Sequence, residues 1–135
     1  MDRRTFLVSA ASAGLVLPFA GQVQAAGNVP YSEGALQQAL NSGKAVMLDY
    51  YATWCGTCRR QDRIVSDLRS ANPAYDGAIT FMRVDWNTYK NAPIRTERNI
   101  PRRSTLVLLK GSRELGRVVA STREADIRAL LDAAL

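Results

Sequence analysis

The sequence predicts an α/β domain in which a central mixed β-sheet has helices on both faces. Three short, mainly apolar runs, residues 45–52, 78–85 and 105–110, have the length and composition of buried strands. Apolar residues at helical spacing precede the first run, follow it and end the chain. A fourth strand, 114–120, follows a tight turn at Gly111-Ser112, which predicts an antiparallel hairpin. The element order is therefore α-β-α-β-α-β-β-α, with a parallel β-α-β crossover before the hairpin.

The first half of this domain consists of two helices around the first strand. Ser32 is a candidate N-cap for a helix that ends near Asn41, after a short leader at residues 27–30. The second helix starts in the segment 54–58 and ends at Asn72-Pro73. Its inner face carries three apolar residues at i, i+1 and i+4, namely Ile64, Val65 and Leu68.

The second half contains two further helical segments. The polar segment 91–99 is expected to hold a short helix between the second and third strands. The last helix starts after Ser121-Thr122-Arg123-Glu124, which fits a capping box. Its apolar residues recur at helical spacing: Ile127, Leu130, Leu131 and Ala134.

Composition excludes several classes of protein. The 135 residues are 47% hydrophobic and 22% charged, as in a globular domain and unlike a disordered chain. Two cysteines are too few for a disulfide-scaffolded mini-protein or a four-cysteine zinc site. Because there is no histidine, Ser-His-Asp and Cys-His catalysis and histidine-bound metals are excluded.

Residues 1–25 have the features of an export signal, which leaves residues 26–135 as the domain. A basic start is followed by an apolar stretch to about Ala20, and cleavage is expected after Ala25. The segment Arg3-Arg4-Thr5-Phe6-Leu7 resembles the twin-arginine export signal, although the residues on either side of it depart from that pattern. A general secretory signal and an uncleaved anchor are the alternatives. The expected location is the periplasm.

The chemistry is expected at two cysteines three residues apart, in Trp54-Cys55-Gly56-Thr57-Cys58. Cys55 would lie at a helix N-terminus, where free N–H groups and the helix dipole stabilise a thiolate. Cys58 follows about one turn later, close enough for a disulfide, and Gly56 would allow a tight turn between them. One sulfur would attack a partner disulfide and the other would resolve the mixed disulfide. Half of a zinc site and an inert structural disulfide are the competing interpretations.

The Trp-Cys-Gly-x-Cys motif after an apolar strand resembles the thioredoxin family, and the resemblance covers almost the whole of residues 26–135. It implies the thioredoxin fold and thiol–disulfide oxidoreductase activity on protein disulfides or thiols, with no cofactor. It also implies that Asp49, six residues before Cys55, is the buried acid proposed to accept the proton of the resolving cysteine. Residues 46–55 are locally similar to the periplasmic domain of the transmembrane disulfide reductase, and such a membrane reductase is a candidate electron donor.

Three positions depart from the pattern of that family. Thr57 stands where thioredoxins carry proline and protein disulfide isomerases carry histidine, which favours a reductant or a pair of intermediate potential, with an oxidase or isomerase as the alternative. Phe81 stands where thioredoxins carry a lysine. The proline that is cis in thioredoxins falls on Ser104 when the sequence is counted back from Lys110. Either Ser104 replaces it, with a trans bond, or a longer loop brings Pro101 to that place.

Arginines surround the expected site in sequence. Arg59 and Arg60 follow Cys58 directly, and Arg102 and Arg103 lie in the loop expected to face the cysteines. Their charge would stabilise a thiolate and steer acidic partners or small anionic thiols towards it, or they are a solvated surface. The net charge of +6 does not indicate nucleic-acid binding, because the chain has no recognition-helix or aromatic-stacking motif.

The sequence therefore predicts an exported thiol–disulfide oxidoreductase that acts as a monomer. The alternative is a binding module on the same fold, in which the cysteines hold copper or the domain docks a partner. A redox-inactive domain is the third interpretation.

Overall fold

The computed structural model describes Gly14 and residues 27–135. The predicted export signal, residues 1–25, lies outside the described residues except for Gly14. The strands are β1 (Val29–Pro30), β2 (Ala45–Tyr51), β3 (Ile79–Asp85), β4 (Thr105–Lys110) and β5 (Arg113–Val119). The helices are α1 (Glu33–Asn41), α2 (Gly56–Ala71), α3 (Ala74–Ala78), α4 (Trp86–Tyr89), α5 (Pro93–Thr96) and α6 (Glu124–Asp132).

The five strands form one mixed sheet in the order β1-β3-β2-β4-β5. β2 pairs with β3 in parallel and with β4 in antiparallel orientation, and β4 and β5 form an antiparallel pair. The parallel crossover and the terminal hairpin that the sequence predicts are confirmed. In the central strand, Asp49 lies opposite Arg83 of β3 and Leu106 of β4.

Alternation along β2 divides the apolar core into two layers, one on each face of the sheet. Met47 packs with the apolar side chains of α2, α3 and α6. Val46, Leu48 and Tyr50 pack on the other face with those of α1 and α5. Side chains two residues apart on a strand lie on the same face of the sheet, so Asp49 lies with Met47 on the face covered by α2. The helices on both faces confirm the predicted fold class.

Ser32 caps α1 as expected, since its Oγ accepts a hydrogen bond from the Ala35 amide at 3.0 Å. Residues 27–30 are more than the leader expected, because Val29 and Pro30 form an edge strand beside β3. The helices α3 and α4 were not expected from the sequence. Both are shorter than two turns, too short for a periodic apolar pattern to identify them.

The capping box expected at residues 121–124 is wrong. Arg123 is the N-cap of α6, and its side chain makes no capping hydrogen bond. Ser121 lies two residues earlier, where its Oγ accepts from the Arg123 amide and donates to Asp126. An N-cap carbonyl accepts the first hydrogen bond within its helix, whereas the Ser121 carbonyl accepts one from the side chain of Gln61.

In the part of the chain that the structure describes, no helix is long and apolar enough to cross a membrane.

Candidate active site

The two cysteines form a disulfide at the start of α2, with their Cα atoms 5.3 Å apart. Cys55 is the N-cap of this helix, and its Sγ accepts a hydrogen bond from the Cys58 amide at 3.2 Å. The predicted position of Cys55 at a helix N-terminus is therefore what the structure shows. Both residues are buried, with 3% and 1% of their surfaces exposed.

Gly56 does not make the tight turn expected of it. It is the first residue of α2, has no positive φ, and a Cβ built there would approach only the Arg59 side chain, at 3.8 Å. An ordinary helical residue would therefore fit at this position. Gly56 is exposed and Thr57 is half-buried, so the two residues between the cysteines lie on the outer side of the pair.

Ser104 is the third residue in contact with the sulfurs. Its Oγ lies 3.1 Å from Cys55 Sγ and 3.0 Å from Cys58 Sγ, and the residue is fully buried. Pro101 is exposed and lines a surface recess with residues of α5 and the loop after it. The described residues contain no cis peptide bond. Of the two candidates for the position of the thioredoxin proline, Ser104 is the one that faces the cysteines.

The backbone of Ser104 is held by three elements. Its amide donates to the Tyr50 carbonyl at 2.7 Å, and its carbonyl accepts from the Ala120 amide at 2.8 Å. The Gln61 side chain on α2 donates to the same carbonyl and to the Ser121 carbonyl, both at 3.0 Å. Gln61 was missed in the sequence, yet it lies three residues after Cys58 and four before Val65, at the spacing of the buried face of α2.

Asp49 is the buried member of a cluster of three charged residues, and its partners Arg83 and Asp62 are partly exposed. Its Oδ2 lies 3.5 Å from Arg83 Nε, and Arg83 Nη2 donates to Asp62 of α2 at 2.7 Å. Arg83 also stacks on the Tyr51 ring at 3.7 Å. Burial raises the pKa of Asp49 well above its ordinary value, the Asp62 carboxylate raises it further, and Arg83 opposes both effects.

Arg83 was missed because the sequence alone does not give strand register, and Asp62 because the sequence does not show how α2 packs on the sheet. The structure pairs Arg83 with Asp49 across two parallel strands, two residues after Phe81. Arg83 lies on the same face of β3 as Phe81 and places a cation beside Asp49.

One of the four arginines expected around the site, Arg103, contacts the exposed side chain of Trp54. The Arg103 guanidinium stacks on the Trp54 ring at 4.3 Å, and the indole Nε1 donates to Asn87 at 3.4 Å. Arg59 donates to the Thr53 carbonyl at 3.0 Å. Arg60 and Arg102 are exposed. The structure therefore brings Arg103 and Arg59 to the residues that flank the disulfide.

Reduced Cys55 and Cys58 are soft ligands that could hold an ion such as Cu(I). Within the described residues, no group of three or more histidine, cysteine, aspartate or glutamate side chains is placed to hold a metal. The chemical capability that this geometry supports is disulfide exchange, because a sulfur pair at a helix N-terminus lies against two hydrogen-bond donors.

Comparison with known proteins agrees with this geometry. Residues 28–133 match the family model described as Thioredoxin. Thioredoxin 1 from Nostoc sp. is 28% identical over 96 residues, which cover 71% of this chain and 85% of that protein. The H-type thioredoxin of Fagopyrum esculentum is 31% identical over 88 residues, which cover 65% of this chain and 71% of that one.

Solved structures also resemble the chain. Trxlp from Edwardsiella tarda superposes with a TM-score of 0.64 at 33% identity, covering 78% of this chain and 95% of its own. Thioredoxin from Malassezia sympodialis has a TM-score of 0.66 at 23% identity, covering 79% of this chain and 93% of its own, and supports the fold alone.

The raised pKa of Asp49 predicts how stability depends on pH. In the folded protein this carboxyl holds its proton more tightly than in the unfolded chain. Its contribution to stability is therefore complete in acid and is lost as the pH rises through its folded pKa. In the Asp49→Asn variant this loss disappears. Its free energy of unfolding should exceed that of the unchanged protein at neutral pH, and the difference should vanish in acid.

Urea unfolding at a series of pH values measures this difference. Asp67→Asn is the matched control, because Asp67 is an exposed carboxylate on α2. Its stability profile should follow that of the unchanged protein. An Asp49→Asn profile with the same pH dependence as the unchanged protein would show that Asp49 is not the titrating group.

Proposed function

Because the chain belongs to the thioredoxin family and is a thiol–disulfide oxidoreductase, we propose that it is exported and reduces protein disulfides as a monomer. The observation that carries this proposal is the Cys55–Cys58 pair at the N-terminus of α2. The helix dipole and the Cys58 amide favour negative charge on Cys55 Sγ, which makes Cys55 the attacking sulfur.

The exchange proceeds in two steps. The Cys55 thiolate attacks one sulfur of the substrate disulfide, forms a mixed disulfide and releases the other substrate sulfur as a thiolate. Cys58 then loses its proton, and its thiolate attacks Cys55 Sγ. This step forms the Cys55–Cys58 disulfide and releases the second substrate thiolate. Two electrons pass from the enzyme pair to the substrate, and the substrate thiolates take up protons.

One feature supports the reducing direction. Thr57 lies between the cysteines at the place where a histidine would stabilise the thiolate of a strongly oxidising pair. Without that histidine the reduced form is stabilised less than in a strong oxidant, so the pair gives up its electrons more readily.

Export is supported by residues 1–25, with their basic start, apolar stretch and small residues near Ala25. An exported reductant is separated from cytoplasmic electron donors, so we assign its reduction to a membrane disulfide reductase. Mass measurement of the protein recovered from the periplasm of an expressing bacterium should give a chain that begins at Ala26. Full-length protein retained in the cytoplasm would contradict export.

The charge around the site supports acidic substrates. Arg59 and Arg60 extend from α2, and Arg102 and Arg103 extend from the loop before β4. Arg103 lies over Trp54, next to the attacking cysteine. Positive charge on both sides of the disulfide raises the encounter rate with anionic partners.

The two cysteines have different expected phenotypes. Cys55→Ser should abolish the reduction of insulin disulfides by dithiothreitol-reduced protein, because the attacking sulfur is missing. Cys58→Ser should accumulate a mixed disulfide with the substrate, visible as an added mass, because the resolving sulfur is missing. Ala71→Ser, which places a serine at the exposed end of α2, is the control and should retain activity. Activity in Cys55→Ser would contradict the assignment.

Steering by Arg103 can be measured with two disulfide peptides, one flanked by aspartates and one by lysines. Arg103→Gln should lower kcat/KM for the acidic peptide about two- to fivefold, the equivalent of one exposed ion pair, and less at high salt. Arg113→Gln removes the same charge at the opposite end of the β4–β5 hairpin from Ser104 and should leave kcat/KM unchanged. If both variants lowered kcat/KM for the acidic peptide equally, the effect would come from the net charge of the protein and not from the position of Arg103.

A further inference from the structure

The Ser104 hydroxyl lies between the two reacting sulfurs. Its oxygen is 3.1 Å from Cys55 Sγ and 3.0 Å from Cys58 Sγ. Neither sulfur of a disulfide carries a proton, so the hydroxyl is the donor in both contacts. One rotation about the Cβ–Oγ bond redirects its proton from one sulfur to the other, with no movement of the side chain.

The structure holds this oxygen in place at a conformational cost. Ser104 has a φ of 63°, in the left-handed region that residues with a Cβ rarely adopt. Hydrogen bonds to Tyr50, Ala120 and Gln61 keep its backbone there. Backbone strain that is maintained by its surroundings marks sites where the geometry serves a function.

A buried thiolate needs donors from the protein, because water reaches it poorly. Cys55 is 3% exposed, and its Sγ accepts from the Cys58 amide at 3.2 Å. The Ser104 hydroxyl is a second donor to the same sulfur. A hydrogen bond to an ionised acceptor is about twice as strong as one between neutral groups, so this contact strengthens when the disulfide is reduced.

We propose that Ser104 is a catalytic residue whose hydroxyl stabilises the thiolate of Cys55 before attack and then that of Cys58 during resolution. While Cys55 is ionised, the hydroxyl donates to Cys55 Sγ. Once Cys55 is bound in the mixed disulfide its charge is gone, and the hydroxyl turns to Cys58 Sγ as Cys58 loses its proton. Ser104 supplies a hydrogen bond in both steps and keeps its own proton. The inference rests on disulfide exchange at this pair.

The charged groups around the pair are the same in every variant used to test this role. They are Arg59 on α2, Arg103 in the loop before β4, and the Asp49, Asp62 and Arg83 cluster on β2, α2 and β3. A change in the ionisation of Cys55 after substitution of Ser104 therefore reports the hydroxyl or the backbone at residue 104.

Two variants distinguish the effect of losing the Ser104 hydroxyl from the effect of changing the backbone at residue 104. Ser104→Ala and Ser104→Gly both lack the hydroxyl, but glycine adopts a positive φ without strain and alanine does not. The rate of alkylation of the reduced, substrate-free protein across a pH series gives the midpoint of Cys55 ionisation. Both variants should raise this midpoint by about one pH unit, as expected for the loss of one hydrogen bond to a charged group. At a pH below the midpoint, the fraction of Cys55 present as thiolate should then fall about tenfold.

Resolution by Cys58 is the second readout. The mixed disulfide formed with glutathione should decay about tenfold more slowly in both variants than in the unchanged protein. Urea unfolding should rank Ser104→Gly above Ser104→Ala in stability, which shows that the shared change in ionisation does not come from the backbone.

An unchanged midpoint in both variants would overturn the proposal, and so would a shift in one variant alone. The alkylation measurement needs no substrate and no electron donor. A failure of the proposed function would appear elsewhere, as an unchanged protein that does not reduce insulin, so the two failures are distinguishable.

Discussion

The hydrogen bonds to the Ser104 backbone connect three parts of the fold at the place where the chemistry occurs. Tyr50 is near the end of the central strand, Ala120 follows the last strand, and Gln61 is on the helix that begins with the cysteines. These contacts join the antiparallel half of the sheet to the helix that carries the disulfide. A shift of any one of the three elements would move the Ser104 oxygen relative to the sulfurs, so the site depends on this junction.

The face of the sheet under α2 carries a second polar group that is costly to bury. Asp49 is retained inside the apolar layer by Arg83, which it shares with Asp62. Burial and Asp62 favour the protonated form of Asp49, so this carboxyl holds its proton more tightly than an ordinary aspartic acid, with a raised pKa. The cysteine pair, by contrast, lies among hydrogen-bond donors that favour negative charge. Asp49 on β2 is favoured as the protonated acid, whereas Cys55 at the start of α2 is favoured as the anion. Neighbouring acids held in opposite charge states are typical of sites that transfer protons.

The sequence predicts the fold well where an apolar segment is long enough to show a pattern and is bounded by clear cap or turn residues. The three apolar runs, the Ser32 cap and the turn at Gly111-Ser112 all lead to elements that the structure contains. It fails for short elements such as β1 and α3, whose few residues show no period. The sequence also wrongly predicts a capping box that begins at Ser121. The spacing of the motif does not reveal that the Gln61 side chain donates a hydrogen bond to the Ser121 carbonyl.

Within the site, local motifs locate the cysteines, but contacts between distant segments cannot be read from them. Asp49 is conspicuous as an acid in an apolar strand, whereas its partner Arg83 depends on strand register. Counting back from Lys110 places Ser104 near the proline position of thioredoxins. Only the folded chain shows that its hydroxyl reaches both sulfurs and that Pro101 is exposed elsewhere. The export signal at residues 1–25 stays a prediction from the sequence.

The measurement that tests the central claim most directly is the reduction potential of the Cys55–Cys58 pair. The protein without residues 1–25 would be equilibrated in dithiothreitol or glutathione buffers and followed by tryptophan fluorescence. Trp54 adjoins Cys55, and Trp86 packs against the cysteines. A reductant with no histidine between the cysteines should have a potential near that of thioredoxin, about −270 mV. A potential near that of a strong oxidant, about −120 mV, would contradict the reducing role.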